Sequence, residues 1–522
     1  MARTPLGRML RKAFAAARMK LEKLKNNGQA GKHDMKIPKR VPVYSITENK
    51  YPSKWKGDKK NNPKVVIVGA GLAGLTCAYR LKQAGISAVI YEATSRVGGR
   101  CWTKRGFFKE GQIVERGGEL IDSGHTEIQA LAAELGLILD DLIEVESLGT
   151  EPFYYFDGSP YTFEEATNDF LQIYPQLQKN IEEAGYPTLY NSFTERGFKL
   201  DHTSIADYIN EIVPGGLRSR FGQLLAVAYT IEYGADIEEQ SSLNLLYLLG
   251  FAPEGPLQLL GESDERYHIR GGNDQLPALL AKGLEGQIRF NSELIKIEQN
   301  RQGKIRLVFR HGEKEWDVWA DKVIMTIPFS ILRKIDYDDA RFRSLKGNAI
   351  EDTGMGVNTK LHAQFFNRFW RRLGNNGETF ADTGYQNTWE VSRAQKGRLG
   401  ILVDYTGDEK AAEQKAKTEE QVERLTKRFL DKLDPVLPGS ERNWNGLSTV
   451  DHWLSRPWTK GSYSYFKVGQ YTKFAGIAEE REGNIFFAGE HTSVDYQGYL
   501  NGAVASGERA AQEVMNDLIE EK

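Results

Sequence analysis

The stretch from Lys64 to Arg100 constrains the fold of this chain more than any other. VVIV (Val65–Val68) is an uninterrupted apolar run of β-branched residues and reads as a strand buried on both faces. It runs into Gly69, Gly71 and Gly74, with a helix predicted from about Leu72, and a second strand, Ala88–Tyr91, ends at Glu92. Gly69 suits the tight turn, Gly71 lets backbone N–H groups approach a pyrophosphate, and Gly74 brings the helix close to the sheet. The helix N-terminus adds partial positive charge for the phosphates. Glu92, eighteen residues beyond Gly74, stands where a carboxylate accepts ribose hydroxyls. Strand, glycines, helix, strand and acid in this order predict a dinucleotide-binding α/β unit.

Immediately after Glu92 come Arg96, Gly98, Gly99 and Arg100, in the pattern E-A-x-x-R-x-G-G-R. Two arginines bracketing a glycine pair offer charge for phosphate and bare backbone for a flat ring. This stretch resembles the flavin-containing amine oxidase superfamily, which includes monoamine, polyamine and L-amino-acid oxidases. The resemblance implies FAD rather than NAD. It also implies an α/β fold of two discontinuous domains, a Rossmann-like FAD-binding domain and an α+β substrate-binding domain of the amine oxidase type.

A chain of 522 residues is long enough for two such domains. No internal repeat is present, and the composition alternates between two territories. Residues 63–140, 262–345 and 451–522 are assigned to the FAD-binding domain, and 141–261 and 346–450 to the substrate-binding domain. Helices are predicted at Thr126–Leu137, Ser204–Val213, Leu243–Leu249 and Thr418–Leu433, with the stretch from about 141 to 261 mostly helical. Strands are predicted at Ile288–Phe290, Leu294–Gln299, Ile305–Phe309, Lys322–Pro328, Thr359–Phe365 and Gly400–Tyr405.

The net charge of −2 hides an asymmetry. Residues 1–64 carry eighteen Lys and Arg against four Asp and Glu, leaving the remainder acidic. Within this basic N-terminal arm and linker (1–62), Leu6, Met9, Leu10, Phe14, Ala17, Leu21 and Leu24 recur at roughly helical spacing. The arm suits a flexible extension, a helix packed on the acidic body, or peripheral contact with an anionic membrane. It lacks the continuous apolar core of an export signal, and the expected location is cytoplasmic or membrane-peripheral. The two cysteines, Cys77 and Cys101, make no disulfide framework, and the eight histidines form no ligand cluster, so no metal is expected. Nucleic acid is not an expected partner; a homodimer is left open.

Near the C-terminus, NIFFAGEHT (484–492) reads as a short buried strand ending at Gly489 and Glu490. GYLNGA (498–503) then opens a helix, whose N-terminal field suits the flavin edge that becomes negative on reduction. By the family pattern, Glu490 holds the ribityl or pyrophosphate region. The resemblance adds Gly117, Gly118, Trp453, Tyr499 and Leu500 to the cofactor site and puts the backbone near Ile295 beside the adenine.

The catalytic assignments rest on the resemblance too. Lys360 matches the lysine that holds a water near flavin N5, and Tyr463 and Tyr499 match the two aromatics flanking the substrate amine. Ser462 stands where monoamine oxidases carry a flavin-linked cysteine, so the FAD is expected to be non-covalent. L-Amino-acid oxidases have a carboxylate-binding arginine about where this chain has Leu120, whereas Asp122 lies close to an acidic position of some polyamine oxidases.

The implied activity is FAD-dependent oxidation of a primary amine, polyamine or L-amino acid. Hydride leaves the carbon next to nitrogen, and the imine yields a carbonyl product with ammonia or an amine. Oxygen is the expected acceptor, with release of hydrogen peroxide. Alternatives are a desaturase or porphyrinogen-type oxidase, an amino-acid dehydrogenase with another electron acceptor, and a non-catalytic flavoprotein scaffold.

Overall fold

The computed structural model describes residues 63–520, which fall within one compact unit. The basic arm and its predicted helix lie outside the described residues.

Val65–Val68 forms the centre of a five-stranded parallel sheet. Lys322–Met325 and then Ile485–Phe487 lie on one side, and Ala88–Tyr91 and then Ile288–Arg289 on the other. VVIV, KVIM and IFF are buried throughout, as expected of parallel strands with both faces covered. The helix Leu72–Gln83 follows the glycine turn and packs against the C-terminal helix Leu500–Glu520. That approach requires Gly507, because a Cβ there would lie 2.5 Å from the Ala73 carbonyl oxygen. An antiparallel sheet of Glu293–Gln299, Ile305–His311 and Lys314–Ala320 adds Ile297, Leu307 and Phe309 to the same core. The third of these strands is not among the predicted ones.

A second sheet of seven strands runs in the order Trp444–His452, Asn358–Phe365, Gly400–Gly407, Asn387–Glu390, Asn375–Ala381, Glu151–Phe156, Ser159–Tyr161. All neighbours are antiparallel except Asn375–Ala381 with Glu151–Phe156. One face packs Leu361, Phe365 and Leu402 against Phe429, Leu430 and Leu433 of the helix Glu419–Leu433. Thr418 and Gln421 start that helix with a capping box, one residue inside the predicted boundary. A helical layer, Phe163–Ala184, Ile205–Ile212, Arg220–Tyr233 and Ser242–Leu249, builds a separate core around Phe170, Leu177, Tyr208, Phe221 and Leu246.

The 141–261 stretch departs from its mostly helical prediction by opening with the hairpin Glu151–Phe156 and Ser159–Tyr161. Its turn is Asp157-Gly158, both at positive φ (54° and 69°), the backbone that a tight two-residue hairpin demands. The predicted helix Thr126–Leu137 stops at Glu134, and Lys322–Pro328 stops at Met325.

Candidate active site

A single cavity of about 880 Å³ runs from the glycine turn to the open face of the seven-stranded sheet. At its first end the wall includes Gly69, Gly71, Glu92, Arg96, Gly99 and Arg100. A Cβ on Gly71 would meet nothing within 4 Å, so this turn presents bare backbone to open space. Gly74 is not in the wall; a Cβ there would lie 2.1 Å from the Gly69 carbonyl oxygen, so it secures helix–strand packing. The Glu92 carboxylate accepts the Ala70 amide at 2.8 Å and both the amide and hydroxyl of Thr94 (2.9 and 2.7 Å), tying the second strand to the turn.

Positive charge concentrates beside this turn. Arg96, Arg116 and Arg456 surround the Trp102 ring, their guanidinium carbons 4.0, 3.7 and 4.9 Å from its centroid. Asp451 pairs with Arg116 (2.6 Å) and Arg456 (3.0 Å). Arg96 has no carboxylate within ion-pair distance among the described residues, donates to the carbonyls of Val97 and Gly99, and is pulled below the ordinary arginine range by burial. Two of these arginines, Arg96 and Arg456, line the cavity. An excess of guanidinium charge next to unobstructed backbone is the donor set that a pyrophosphate needs.

Glu490 joins the two ends of the chain at this site. One carboxylate oxygen accepts Arg100 at 2.7 Å; the other accepts the Ser464 hydroxyl at 2.8 Å and the Gly498 amide at 2.9 Å. Burial raises its pKa, but Arg100 and His491 more than offset this and hold it below the usual carboxylate range. Its carboxylate is thus engaged by protein donors and fixes Arg100 and the turn that carries Tyr499. Arg100 also donates to the Ser462 carbonyl at 2.7 Å. Trp453 donates to the Arg116 carbonyl at 2.7 Å, beneath Gly117, while Leu500 packs on Gly118; Trp453, Gly117, Gly118 and Leu500 line the cavity. The backbone near Ile295 contributes Glu293 and Leu294 to the wall; Ile295 itself is not in it, and at the bulge between Leu294 and Lys296 its carbonyl accepts the Asp336 amide at 3.1 Å.

Strand alternation builds the other end. Asn358 and Lys360, Asn376, Glu378 and Phe380, and Asn387 and Trp389 occupy every second position of their strands and line the cavity. Lys360 is buried, and its ammonium donates to Glu119 Oε2 at 2.7 Å and to the Gly117 carbonyl at 3.0 Å. A 3.4 Å contact to the Glu115 carbonyl leaves it a third, weaker bond. Glu119 Oε1 accepts the Trp389 indole N–H at 3.0 Å. The Tyr463 hydroxyl donates to the Glu232 carbonyl at 2.5 Å and lies 2.8 Å from that of Tyr405, whose ring meets Trp389 edge-on at 5.1 Å. Tyr499 packs against His125 with centroids 4.9 Å apart, and its hydroxyl, with Ser263 acting on it, makes no hydrogen bond of normal geometry among the described residues. Lys360, Tyr463 and Tyr499, far apart in sequence, thus share one cavity wall.

Three carboxylates that sequence patterning does not single out also line this end. Burial pushes Glu232 up to about 8 and Glu378 up to about 7. Burial, then Asp122, Glu232 and Glu378, push Glu265 well above the usual carboxylate range. Asp122 is not in the wall. Its Oδ1 accepts the Glu265 amide at 3.0 Å, its Oδ2 lies 3.2 Å from His125 Nε2, and it anchors the loop that presents Glu265. Cys101 lines the cofactor end with its thiol pushed up by burial, while Cys77 is buried inside its helix. Among the described residues no group of three or more His, Cys, Asp and Glu could hold a metal ion, and no helix is long and apolar enough to cross a membrane.

Comparison with known proteins agrees with this geometry. A family model described as flavin containing amine oxidoreductase matches residues 72–515. A flavin-containing amine oxidase of Oncorhynchus mykiss is 25% identical over 483 residues, covering 88% of this chain and 87% of that protein. An L-amino-acid oxidase of Demansia vestigiata is 26% identical over 478 residues, covering 87% of each. Among solved structures, putrescine oxidase bound to putrescine superimposes with a TM-score of 0.73 at 22% identity, covering 87% of this chain and 99% of that one. Cyclohexylamine oxidase from Brevibacterium oxydans does so with a TM-score of 0.74 at 20% identity, covering 88% and 100%. The two-domain α/β fold and the sequence together establish that this chain belongs to the flavin-containing amine oxidoreductases, oxidoreductases whose cofactor is FAD.

Proposed function

We propose that the protein is an oxidase of amines, taking hydride from the carbon next to nitrogen. The observation that carries this reading is the meeting of Tyr463, Tyr499 and Lys360 on a cavity continuous with the Gly69–Gly74 turn. FAD, when bound, supplies the hydride acceptor and passes the two electrons to oxygen, giving hydrogen peroxide. Gly69, Gly71, Glu92, Arg96, Gly99 and Arg100 would hold its adenosine and phosphate part, and Gly117, Gly118, Trp453, Gly489 and Leu500 its remainder. Tyr463 and Tyr499 orient the amine with their π faces, and their aromatic surroundings favour its neutral form, whose lone pair assists departure of hydride. Lys360, fixed by Glu119, would hold a water at the reacting edge. Hydrolysis of the released imine gives the carbonyl product and ammonia or a smaller amine.

The electrostatics favour amines over α-amino acids. The cationic side chains of the substrate end are both neutralised, Lys360 by Glu119 and Arg393 by Glu146 at 3.1 Å. A substrate carboxylate would have to displace one of these partners. The amino-acid reading draws support from Arg393 itself, a guanidinium in the wall. Paired substrates separate the two readings: phenylalanine and phenethylamine are added anaerobically to the purified flavoprotein. Bleaching of the yellow colour by the amine alone is expected; bleaching by the amino acid alone would reverse the assignment, and bleaching by no amine at all would end it.

A further inference from the structure

We propose that Glu232, Glu265 and Glu378 form a subsite for the non-reacting ammonium groups of a linear diamine or polyamine. This names the substrate class of the site and rests on the amine-oxidase reading above.

The three residues arrive from separate elements. Glu232 is in the last turn of the helix Arg220–Tyr233, Glu265 precedes the strand Tyr267–Ile269, and Glu378 is in the strand Asn375–Ala381. All three are half-buried, and the surface they retain includes cavity wall. No hydrogen bond or ion pair to protein engages their carboxylates among the described residues, whereas Lys360 and Arg393 each have a carboxylate partner. This half of the cavity therefore holds three carboxyl groups with no ion-pair partner, and burial resists their ionisation until a cation is supplied. The C-terminal end of a fourteen-residue helix at Glu232 adds partial negative charge, with the helix dipole favouring a cation there.

The carboxylates also form a series. Glu232 is beside the aromatic pair, since its own carbonyl accepts the Tyr463 hydroxyl and its charge bears on both Tyr463 and Tyr499. Glu265 interacts with both Glu232 and Glu378, and Glu378 with Glu146 and Arg393. Glu265 bears on Tyr499 as well, so the three carboxyl groups form one interacting set that reaches from the aromatic pair to Glu378. Leu257, Leu259 and Phe380 supply apolar wall along the same cavity, suited to methylene groups between charges. Burial and mutual repulsion both penalise ionisation of carboxyl groups gathered at a desolvated site, and a ligand that brings ammonium groups relieves that penalty. A monoamine leaves it in place, and an α-carboxylate increases it.

The test uses the full-chain holoenzyme near pH 8, with octylamine and the matching octane diamine as probes. In the wild-type protein kcat/KM should favour the diamine at least about tenfold, one decade per 1.4 kcal/mol of extra interaction. The Glu265→Gln/Glu378→Gln double variant should lose at least about tenfold of that ratio, and single Glu378→Gln a part of it. Each variant removes an unpaired charge, so thermal melts should confirm retained folding. Equal use of both amines, or a ratio untouched by the double variant, would overturn the proposal. Should neither amine bleach the flavin, titration of the flavin spectrum with the same probes decides separately. Carboxylate-dependent preference for the diamine would keep the subsite while the oxidase reading falls, and equal binding would remove both.

Discussion

Lys360 Nζ lies 2.7 Å from Glu119 Oε2, and both side chains are more than nine-tenths buried. The lysine comes from the seven-stranded sheet and the acid from the loop after Gly117-Gly118, so this ion pair ties the substrate end to the cofactor end. A buried pair contributes little over an apolar replacement, but removing one partner strands the other and costs about 3–5 kcal/mol. Glu119→Gln should therefore lower the melting temperature more than Lys360→Met/Glu119→Gln does. Lys360→Met alone should keep FAD bound while slowing flavin reduction, reoxidation or both. Melting curves and rapid-mixing kinetics read the two effects separately; wild-type turnover in Lys360→Met would take the lysine out of the chemistry.

The two tyrosines should respond differently to loss of a hydroxyl. That of Tyr463 bridges Tyr405 and the Glu232 carbonyl, whereas that of Tyr499 makes no hydrogen bond of normal geometry among the described residues. Leaving a buried carbonyl unpaired costs about 1–3 kcal/mol. Tyr463→Phe should slow anaerobic flavin reduction about five- to tenfold and lower the melting temperature. Tyr499→Phe should stay within about twofold of wild type, because its ring remains, and Tyr499→Ala should be slower still. Equal losses in the two Phe variants would mean that the Tyr499 hydroxyl contacts the substrate.

What the sequence discloses follows from how tightly backbone geometry restricts residue choice. The bounds of Val65–Val68 and Ala88–Tyr91 match the structure, because the first is buried on both faces and admits little but Val and Ile, while the second pairs with it in register and buries Ala88 and Ile90. Asn375–Ala381 (NNGETFA) and Asn387–Glu390 (NTWE) escape notice because their cavity face is polar. Glu378 looks like a solvated residue until the fold closes over it. The hairpin at Asp157-Gly158 does carry a local signal, but strong helical periodicity begins only a few residues later at Phe163. Lys360, Tyr463 and Tyr499 are legible only through resemblance, since nothing local to each of them reports on a cavity assembled from distant strands. Asp122 shows the limit of that route: it sits near an expected acidic position but supports the loop of Glu265 instead of facing the cavity.

Two glycines of the opening motif make opposite demands. Gly74→Ala would push its Cβ to 2.1 Å from the Gly69 carbonyl oxygen, so the helix must shift and both stability and FAD retention should fall. Gly71→Ala meets nothing within 4 Å, so the apoprotein should fold normally. Its methyl group would occupy room that the cofactor needs, and FAD affinity should drop about tenfold or more, the equivalent of about 1.4 kcal/mol. Ultrafiltration followed by flavin fluorescence measures retention, and melting of the apoproteins measures folding. A Gly71→Ala protein that retains FAD as tightly as wild type would move the pyrophosphate away from this turn.

The acidic series should also leave a signature in stability against pH. Glu378 and Glu232 are pushed up by burial to about 7 and about 8, and Glu265 is raised as well, against about 4.3 for an unfolded glutamate. Between about pH 4.5 and 8 the native state therefore holds protons that the unfolded chain has released. Stability contributed by these groups is fully present below that window and declines as pH rises through it, the Glu265 share being lost only as pH passes its own raised pKa. Other groups act in the opposite direction. His125 and His491 are lowered to about 4 by burial, so their contribution rises with pH up to the unfolded histidine range, and Lys346, lowered to about 7, contributes similarly above pH 7. These terms are common to the wild type and a Glu232→Gln/Glu265→Gln/Glu378→Gln variant, so the difference between the two proteins isolates the carboxylates. The variant's advantage in melting temperature should grow from pH 5 to pH 8. At pH 8, octane diamine under anaerobic conditions should raise the melting temperature of the wild type more than that of the variant, because only the wild type has carboxyl groups that can ionise to meet the ammonium groups. A melting-temperature difference that stays constant with pH would mean that these glutamates ionise in the folded protein as they do in the unfolded chain.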